Sequence, residues 1–235
     1  MTAARRGRLI ALEGIDGCGK STQAELLSRR LGAVLTFEPG ATRLGSTLRR
    51  LLLDADLPPV SGRAEALLMA ADRAQHLAEV VVPSLESGAW VVTDRFSAST
   101  LAYQGFGRGL DRAGLDRLIG WATDGLAADL TVLIEVPVAV ASERRGPRSP
   151  DRLEVEGEAF QLRVADGYRR LAAESPTPWL VVDGTAPEHE VAAAVWSGVE
   201  AALGTGPGPG PAGAGGTGGT GGTGGTGGTG GTDHG

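Results

Sequence analysis

Short runs of unbroken apolar residues alternate along the chain with longer stretches where apolar positions recur every three or four residues. The first kind occupies 9–13, 33–37, 89–94, 130–136 and 179–183, with the length of buried strands. The second occupies 20–31, 42–53, 63–85, 111–121 and 187–203 and predicts helices. Gly32 closes the first helix, and Pro39-Gly40 ends the second strand. Pro83 is expected to bend or end the long third helix. The helix from Thr42 should lay Leu44, Leu48, Leu51 and Leu52 on one side. Strands that are apolar throughout and separated by helices form a parallel sheet covered on both faces. The expected class is α/β: three layers, with a five-stranded parallel sheet.

Composition divides the 235 residues unequally. Residues 204–235 hold 18 of the 38 glycines and include six Gly-Gly-Thr triplets over 215–232. A segment with so few apolar side chains cannot offset its ordering entropy, so a flexible tail is expected after a single domain at 1–203. The net charge of −6 argues against a general nucleic-acid binder. The single cysteine, Cys18, excludes an intrachain disulfide. No apolar run has the length of a membrane span, and the basic start (Arg5, Arg6, Arg8) leads only into a strand-length run, not a signal peptide. A cytoplasmic protein is expected. Of 22 basic residues, Lys20 alone is lysine, which suggests a position needing a compact ammonium rather than a guanidinium.

That lysine lies in the sharpest motif of the chain. Gly14-Ile15-Asp16-Gly17-Cys18-Gly19-Lys20-Ser21 matches G-x-x-x-x-G-K-[ST] between the first strand and the first helix. Its backbone N–H groups, with the helix N-terminus through Thr22, suit the phosphates of ATP. Lys20 would reach the β- and γ-phosphates, and the Ser21 hydroxyl would ligate Mg²⁺. Cys18 reads as a small filler. A GTPase guanine motif needs a second lysine, which the chain lacks.

Three further segments concern the acceptor. These are Glu38-Pro39-Gly40 after the second strand, Ala71-Asp72-Arg73-Ala74-Gln75-His76 on the long helix, and Asp94-Arg95-Phe96 leading into Ala102-Tyr103-Gln104-Gly105. In a parallel sheet these strand ends face the crevice of the P-loop. Taken together and in this order, they resemble the bacterial thymidylate kinases over about residues 8–200. The resemblance implies transfer of the γ-phosphate of ATP to dTMP in a P-loop fold, with Mg²⁺. It implies that Asp16 sits near the acceptor sugar and metal, that Arg49 and Arg95 hold the acceptor phosphate, and that Arg73 reaches a thymine carbonyl. It places Thr100 and Tyr103 against the thymine and the sugar 2′ position, with Glu38, Pro39, Ser99 and Gln104 in the same pocket and Asp94 beside the metal. His76 reads as structural. Two positions depart from the family: Met69 stands where phenylalanine usually stacks on thymine, and Phe37 stands where many relatives carry arginine.

Residues 142–154 carry Arg144, Arg145, Arg148 and Arg152 among Gly146, Pro147 and Pro150, which reads as a mobile basic loop. The resemblance makes it the lid over ATP, with Arg144, Arg145 and Arg148 supplying transition-state charge beside Lys20 and Arg95. Arg152 is flanked by Asp151 and Glu154, and a structural pair with one of them is expected. The family is often homodimeric through the long helix, and Ala70, Ala74, Leu77 and Val81 could form that face. The alternatives are another nucleoside monophosphate or deoxynucleoside kinase, or a catalytically silent P-loop binding module.

Overall fold

The computed structural model describes residues 6–54, 56–146, 152–153 and 155–204. Among them, five parallel strands form one sheet: β1 (Leu9–Glu13), β2 (Val34–Phe37), β3 (Val91–Asp94), β4 (Leu130–Glu135) and β5 (Trp179–Asp183), in the order β2-β3-β1-β4-β5. Alternation along β1 explains the three layers. Ile10 and Leu12 face a core with Leu27 and Leu31 of α1 (Lys20–Leu31) and Val195 of the C-terminal helix. Leu9 and Ala11 face the opposite core, with Leu77, Val81 and Leu85. Register matters for function: Leu12 and Phe37 both pair with Asp94. The residues following β1, β2 and β3 therefore leave the sheet at one level and face one crevice.

The helices are α2 (Arg43–Leu53), α3 (Gly62–His76), α4 (Val82–Glu86), α5 (Ser97–Thr100), α6 (Arg112–Thr123), α7 (Val138–Arg145), α8 (Glu158–Glu174) and α9 (Glu188–Leu203). Thr42 and Asp111, expected as first helical residues, are caps whose side chains accept from the backbone N–H of Gly45 and Gly114.

Three expectations are corrected. Pro83 does not end the long helix. A π-helical stretch at Leu77–Val81 precedes it, so Pro83 falls in the first turn of α4, where its missing N–H costs nothing. The proposed apolar face is internal: Ala70, Leu77 and Val81 are buried in the subunit, and of the four only Ala74 is exposed. The outward stripe instead runs through Leu67, Ala71, Ala74 and Ala78. The leucines of α2 divide likewise, with Leu48 and Leu52 buried and Leu44 and Leu51 exposed.

The basic segment is also not a loop from its start. Residues 142–145 form the end of α7, which stops at Gly146 with φ +64°. Arg152 donates to the carbonyls of Leu51 (3.2 Å), Asp54 (2.7 Å) and Leu57 (2.8 Å); Asp151 and Glu154, its expected partners, lie outside the described residues. Arg152 thereby caps the C-terminal turn of α2, a favourable place for a cation. Arg148 and the Gly-Thr tail lie outside the described residues.

Candidate functional site

The turn from β1 into α1 depends on its glycines. Gly14, Gly17 and Gly19 have φ of +144°, +88° and +97°. A side chain on Gly17 would strike the Ala141 carbonyl, and one on Gly14 the sulfur of Cys18. Cys18 is buried beneath the loop, and burial pushes its thiol pKa up, so it is a filler and no nucleophile. The first turn of α1 has no side-chain cap. Its N–H groups and positive dipole end are therefore directed at the crevice, as an anion site requires.

Asp16 is the hub of the crevice. Its Oδ1 lies 3.2 Å from Lys20 Nζ and accepts a short hydrogen bond from Arg95 Nη2, while Oδ2 accepts from the Tyr103 hydroxyl at 2.8 Å. Burial alone would raise its pKa; Arg95, Lys20 and Tyr103 outweigh burial and hold the carboxyl well below the usual range. Lys20 and Arg95, one from the P-loop and one from the end of β3, are thus tied to a single carboxylate.

Arg95 sits at φ +77°, unusual for a non-glycine residue. The strain is held by its surroundings: its backbone N–H donates to the Leu12 carbonyl, and Nη1 donates to Gly14 O (3.2 Å), Ser99 Oγ (2.9 Å) and the Tyr168 hydroxyl (3.1 Å). Behind these groups lies Glu13, fully buried, the last residue of β1 and not among the site residues expected from sequence. It accepts from the backbone of Phe96 and Ser99, from Ser99 Oγ (2.6 Å) and from the Tyr168 hydroxyl (3.0 Å). Burial pushes its pKa up against these donors and the Arg95 charge. A charged residue ending an apolar strand was the only sequence signal for Glu13, and Tyr168 gave none.

Beside this hub is a pocket lined by Glu38, Pro39, Arg49, Met69, Arg73, Ser99, Thr100, Tyr103, Gln104 and Leu153, with Asp16 and Arg95 at its floor. The acceptor residues expected from sequence therefore come together. Arg73 does not pair along its helix. It donates from Nε to Glu38 (2.8 Å), from Nη1 to Thr100 Oγ1 (3.0 Å) and from Nη2 to the Phe96 carbonyl (3.0 Å). His76 bridges Glu38 and Thr36, a structural role. Arg49 donates to the Pro39 carbonyl at 2.8 Å, across the cis Glu38–Pro39 bond.

The neighbouring crevice is lined by Lys20, Ser21, Arg49, Asp94 and Arg95, with half-exposed Leu35 and Phe37 as an apolar wall. The Ser21 hydroxyl donates to Asp94 Oδ2, and Asp94 Oδ1 is buried with no hydrogen-bond partner among the described residues. An orphaned carboxylate oxygen next to a hydroxyl fits a hard divalent cation that takes the rest of its shell from phosphate and water. Among the described residues, no cluster of three or more His, Cys, Asp or Glu offers a self-sufficient metal cage.

Arg144 and Arg145, at the end of α7, diverge. Arg145 donates to the Asp16 carbonyl at 2.6 Å, over the P-loop, whereas exposed Arg144 donates to the Gly184 carbonyl at 2.8 Å.

Asp72 has a different part. It is buried, and its Oδ1 accepts from Gly40 N at 3.0 Å, bracing the Pro39-Gly40 turn, while Oδ2 has no partner among the described residues. Burial and the charge of Glu38 push its pKa up to about 6, against roughly 3.9 when unfolded. The folded state therefore favours the protonated form. That stability is full below pH ~4 and is lost as pH rises through about 6. Asp72→Asn keeps the acceptor for Gly40 without the charge. In urea melts its advantage over the parent should be absent near pH 4 and reach roughly 1–2 kcal/mol by pH 8. Parallel pH profiles would remove Asp72 from the pH dependence.

Comparison with known proteins agrees with this geometry. The family model for thymidylate kinase matches residues 12–195. A thymidylate kinase of Synechococcus sp. (strain CC9311) is 48% identical over 203 residues, covering 80% of this chain and 93% of that protein. One from Cupriavidus necator is 48% identical over 188 residues, covering 77% and 91%. The crystal structure of thymidylate kinase from Ehrlichia chaffeensis superposes with a TM-score of 0.67 at 31% identity, covering 82% of this chain and 98% of that one. With the P-loop, the arginine-lined pocket and the hub between them in one crevice, the chain belongs to the thymidylate kinase family.

Proposed function

We propose that the crevice holds the two substrates of a thymidylate kinase end to end, with Asp16 at the junction. The enzyme transfers the γ-phosphoryl group of ATP to dTMP, giving dTDP. The observation that carries the residue assignment is the shared carboxylate: Lys20 on the donor side and Arg95 on the acceptor side both bind Asp16. The two charges that flank the transferred group are thereby preset relative to each other, which is catalysis by positioning and electrostatics.

On this reading the P-loop amides, Lys20 and Arg145 surround the ATP phosphates, and Arg49 and Arg95 grip the dTMP phosphate. A phosphate dianion presents an unprotonated oxygen for in-line attack. No general base is needed, and Asp16, held ionised, serves as an organiser. Ser21 and Asp94 would hold Mg²⁺, which when bound neutralises charge on the β- and γ-phosphates. Apolar Leu153, Leu53 and Met69 exclude water around the base.

The pocket also suits thymine in its polar groups. Arg73 is a donor. Thr100, accepting from Arg73, keeps its own proton to donate. Gln104 Nε2 donates to Glu65 at 2.7 Å, which leaves its oxygen as the acceptor for the pocket it lines. Donors flanking an acceptor complement the carbonyl, N3–H, carbonyl edge of thymine.

Acceptor-dependent ADP release tests the assignment. With Mg²⁺-ATP, dTMP should be turned over fastest, dUMP more slowly, dCMP and CMP barely, and thymidine not at all. ADP release indifferent to the acceptor would overturn it in favour of a binding module, and a lead by another monophosphate would reassign the pocket. A second copy of the chain is the partner we assign to the exposed stripe from Leu67 of α3 to Ala78 of the π-helical stretch that follows, with Trp121 of neighbouring α6 fully outside the core. No helix among the described residues is long and apolar enough to cross a membrane, and a cytoplasmic location belongs to the same reading.

A further inference from the structure

Glu65 stands on the first turn of α3, 1% exposed. Its carboxylate has two kinds of partner. Oε1 accepts from Gln104 Nε2 at 2.7 Å, and Arg108 donates to it through Nε (3.3 Å to Oε1) and Nη2 (3.0 Å to Oε2). Arg108 is itself held by Glu156. Gln104 is equally buried, on the π-helical stretch Leu101–Gly107, and lines the acceptor pocket.

We propose that Glu65 is a specificity-determining residue: by accepting from Gln104 Nε2, it fixes the amide oxygen toward the pocket and so selects a pyrimidine that carries a proton on N3. The inference rests on that pocket being the base site. An unpaired amide can turn over, exchanging its donor and acceptor ends at little cost. Here the turn would set the amide oxygen against a carboxylate oxygen at hydrogen-bond distance, two acceptors with no proton between them, in a buried site where an unmade hydrogen bond is expensive. The ion pair with Arg108 holds the carboxylate in place, and a carboxylate only accepts. Gln104 then presents only an acceptor. Thymine and uracil offer N3–H to it. Cytosine offers a lone pair, and its 4-amino group meets donors where thymine brings a carbonyl. Buried polar groups left unpaired by the wrong ligand are the strongest source of discrimination available to a site of this kind. Glu65 touches neither substrate; it acts through Gln104 and is a positioning residue.

The test measures kcat and KM with dTMP and with dCMP, at saturating ATP, on the full chain and on Glu65→Gln, Gln104→Leu and the double variant Glu65→Leu/Arg108→Leu. In Glu65→Gln, the new amide can donate as well as accept, so Gln104 is free to take either orientation. The preference for dTMP over dCMP should fall about ten-fold or more, through a higher KM for dTMP and a lower one for dCMP, with the KM for ATP unchanged. Glu65→Asp should restore most of the preference. The double variant replaces the buried ion pair by apolar side chains, which proteins often tolerate, and it should lose the preference to the same degree even if Glu65→Gln folds poorly. A parental dTMP:dCMP ratio in folded Glu65 variants, with or without a uniform loss of kcat, overturns the proposal while leaving the pocket in place, provided Gln104→Leu has lost dTMP use. If Gln104→Leu keeps its KM for dTMP, the base-site reading fails and the proposal fails with it.

Discussion

Lys20→Arg should lower kcat roughly 10²–10³-fold while leaving the fold intact, the order expected when one preorganised donor to a developing charge is misplaced. Lys20 is 6% exposed and enclosed by the loop it ends, with Nζ 3.2 Å from Asp16. An ammonium is a point charge that fits this space. A guanidinium is planar and wider, and its fork cannot keep both the carboxylate and the phosphate positions. Arg95 still neutralises Asp16, so the melting temperature should move little. Stopped-flow or coupled ADP release with both substrates saturating gives the number. Turnover within a few-fold of the parent would mean that the only lysine of the chain is not where the phosphoryl group passes.

Arg95→Ala should be larger in its reach, because it removes a clamp and uncovers buried charge at once. The guanidinium binds Asp16, Ser99, Tyr103, Tyr168 and the Gly14 carbonyl. Its loss leaves Asp16 and Glu13 without their main counter-charge, so roughly 2–5 kcal/mol of stability should go with it. Among molecules that remain folded, kcat/KM for dTMP should fall roughly 10³-fold, with the affinity for ATP within a few-fold. Arg95→Lys, which keeps the charge and loses the fork, should recover stability more than turnover. A variant that lost ATP affinity and kept its KM for dTMP would put Arg95 on the donor side.

Much of this architecture was legible from local pattern. The strands are apolar on both faces and punctuated by glycine and proline, so their number and parallel sense followed from composition over a few residues. The P-loop was legible because its chemistry is contiguous. The acceptor pocket was legible only through resemblance, since Glu38, Arg73 and Gln104 come from three elements. What could not be read depends on distant partners or on one-residue changes of phase. Glu13 and Tyr168 meet across 155 residues of sequence. The face of the long helix was misplaced by a fraction of a turn: Ala70, Leu77 and Val81 turn to the chain's own core, while Leu67, Ala71, Ala74 and Ala78 turn outward. Arg144, Arg145 and Arg152 looked like one basic loop because charge is all that sequence displays; their destinations are carbonyls on three different elements.

Cys18 gives the protein an experimental convenience unrelated to its chemistry. It is the only cysteine in the chain, packed under the phosphate loop with its thiol held protonated. Native molecules are therefore closed to thiol reagents, and modification proceeds through whatever opening lifts the loop from the core. A colorimetric thiol titration of the unaltered enzyme then works as a clock for that opening. Nucleotides that clamp the loop slow the clock in proportion to their binding, so ligand affinity and local stability can both be read from one unlabelled side chain.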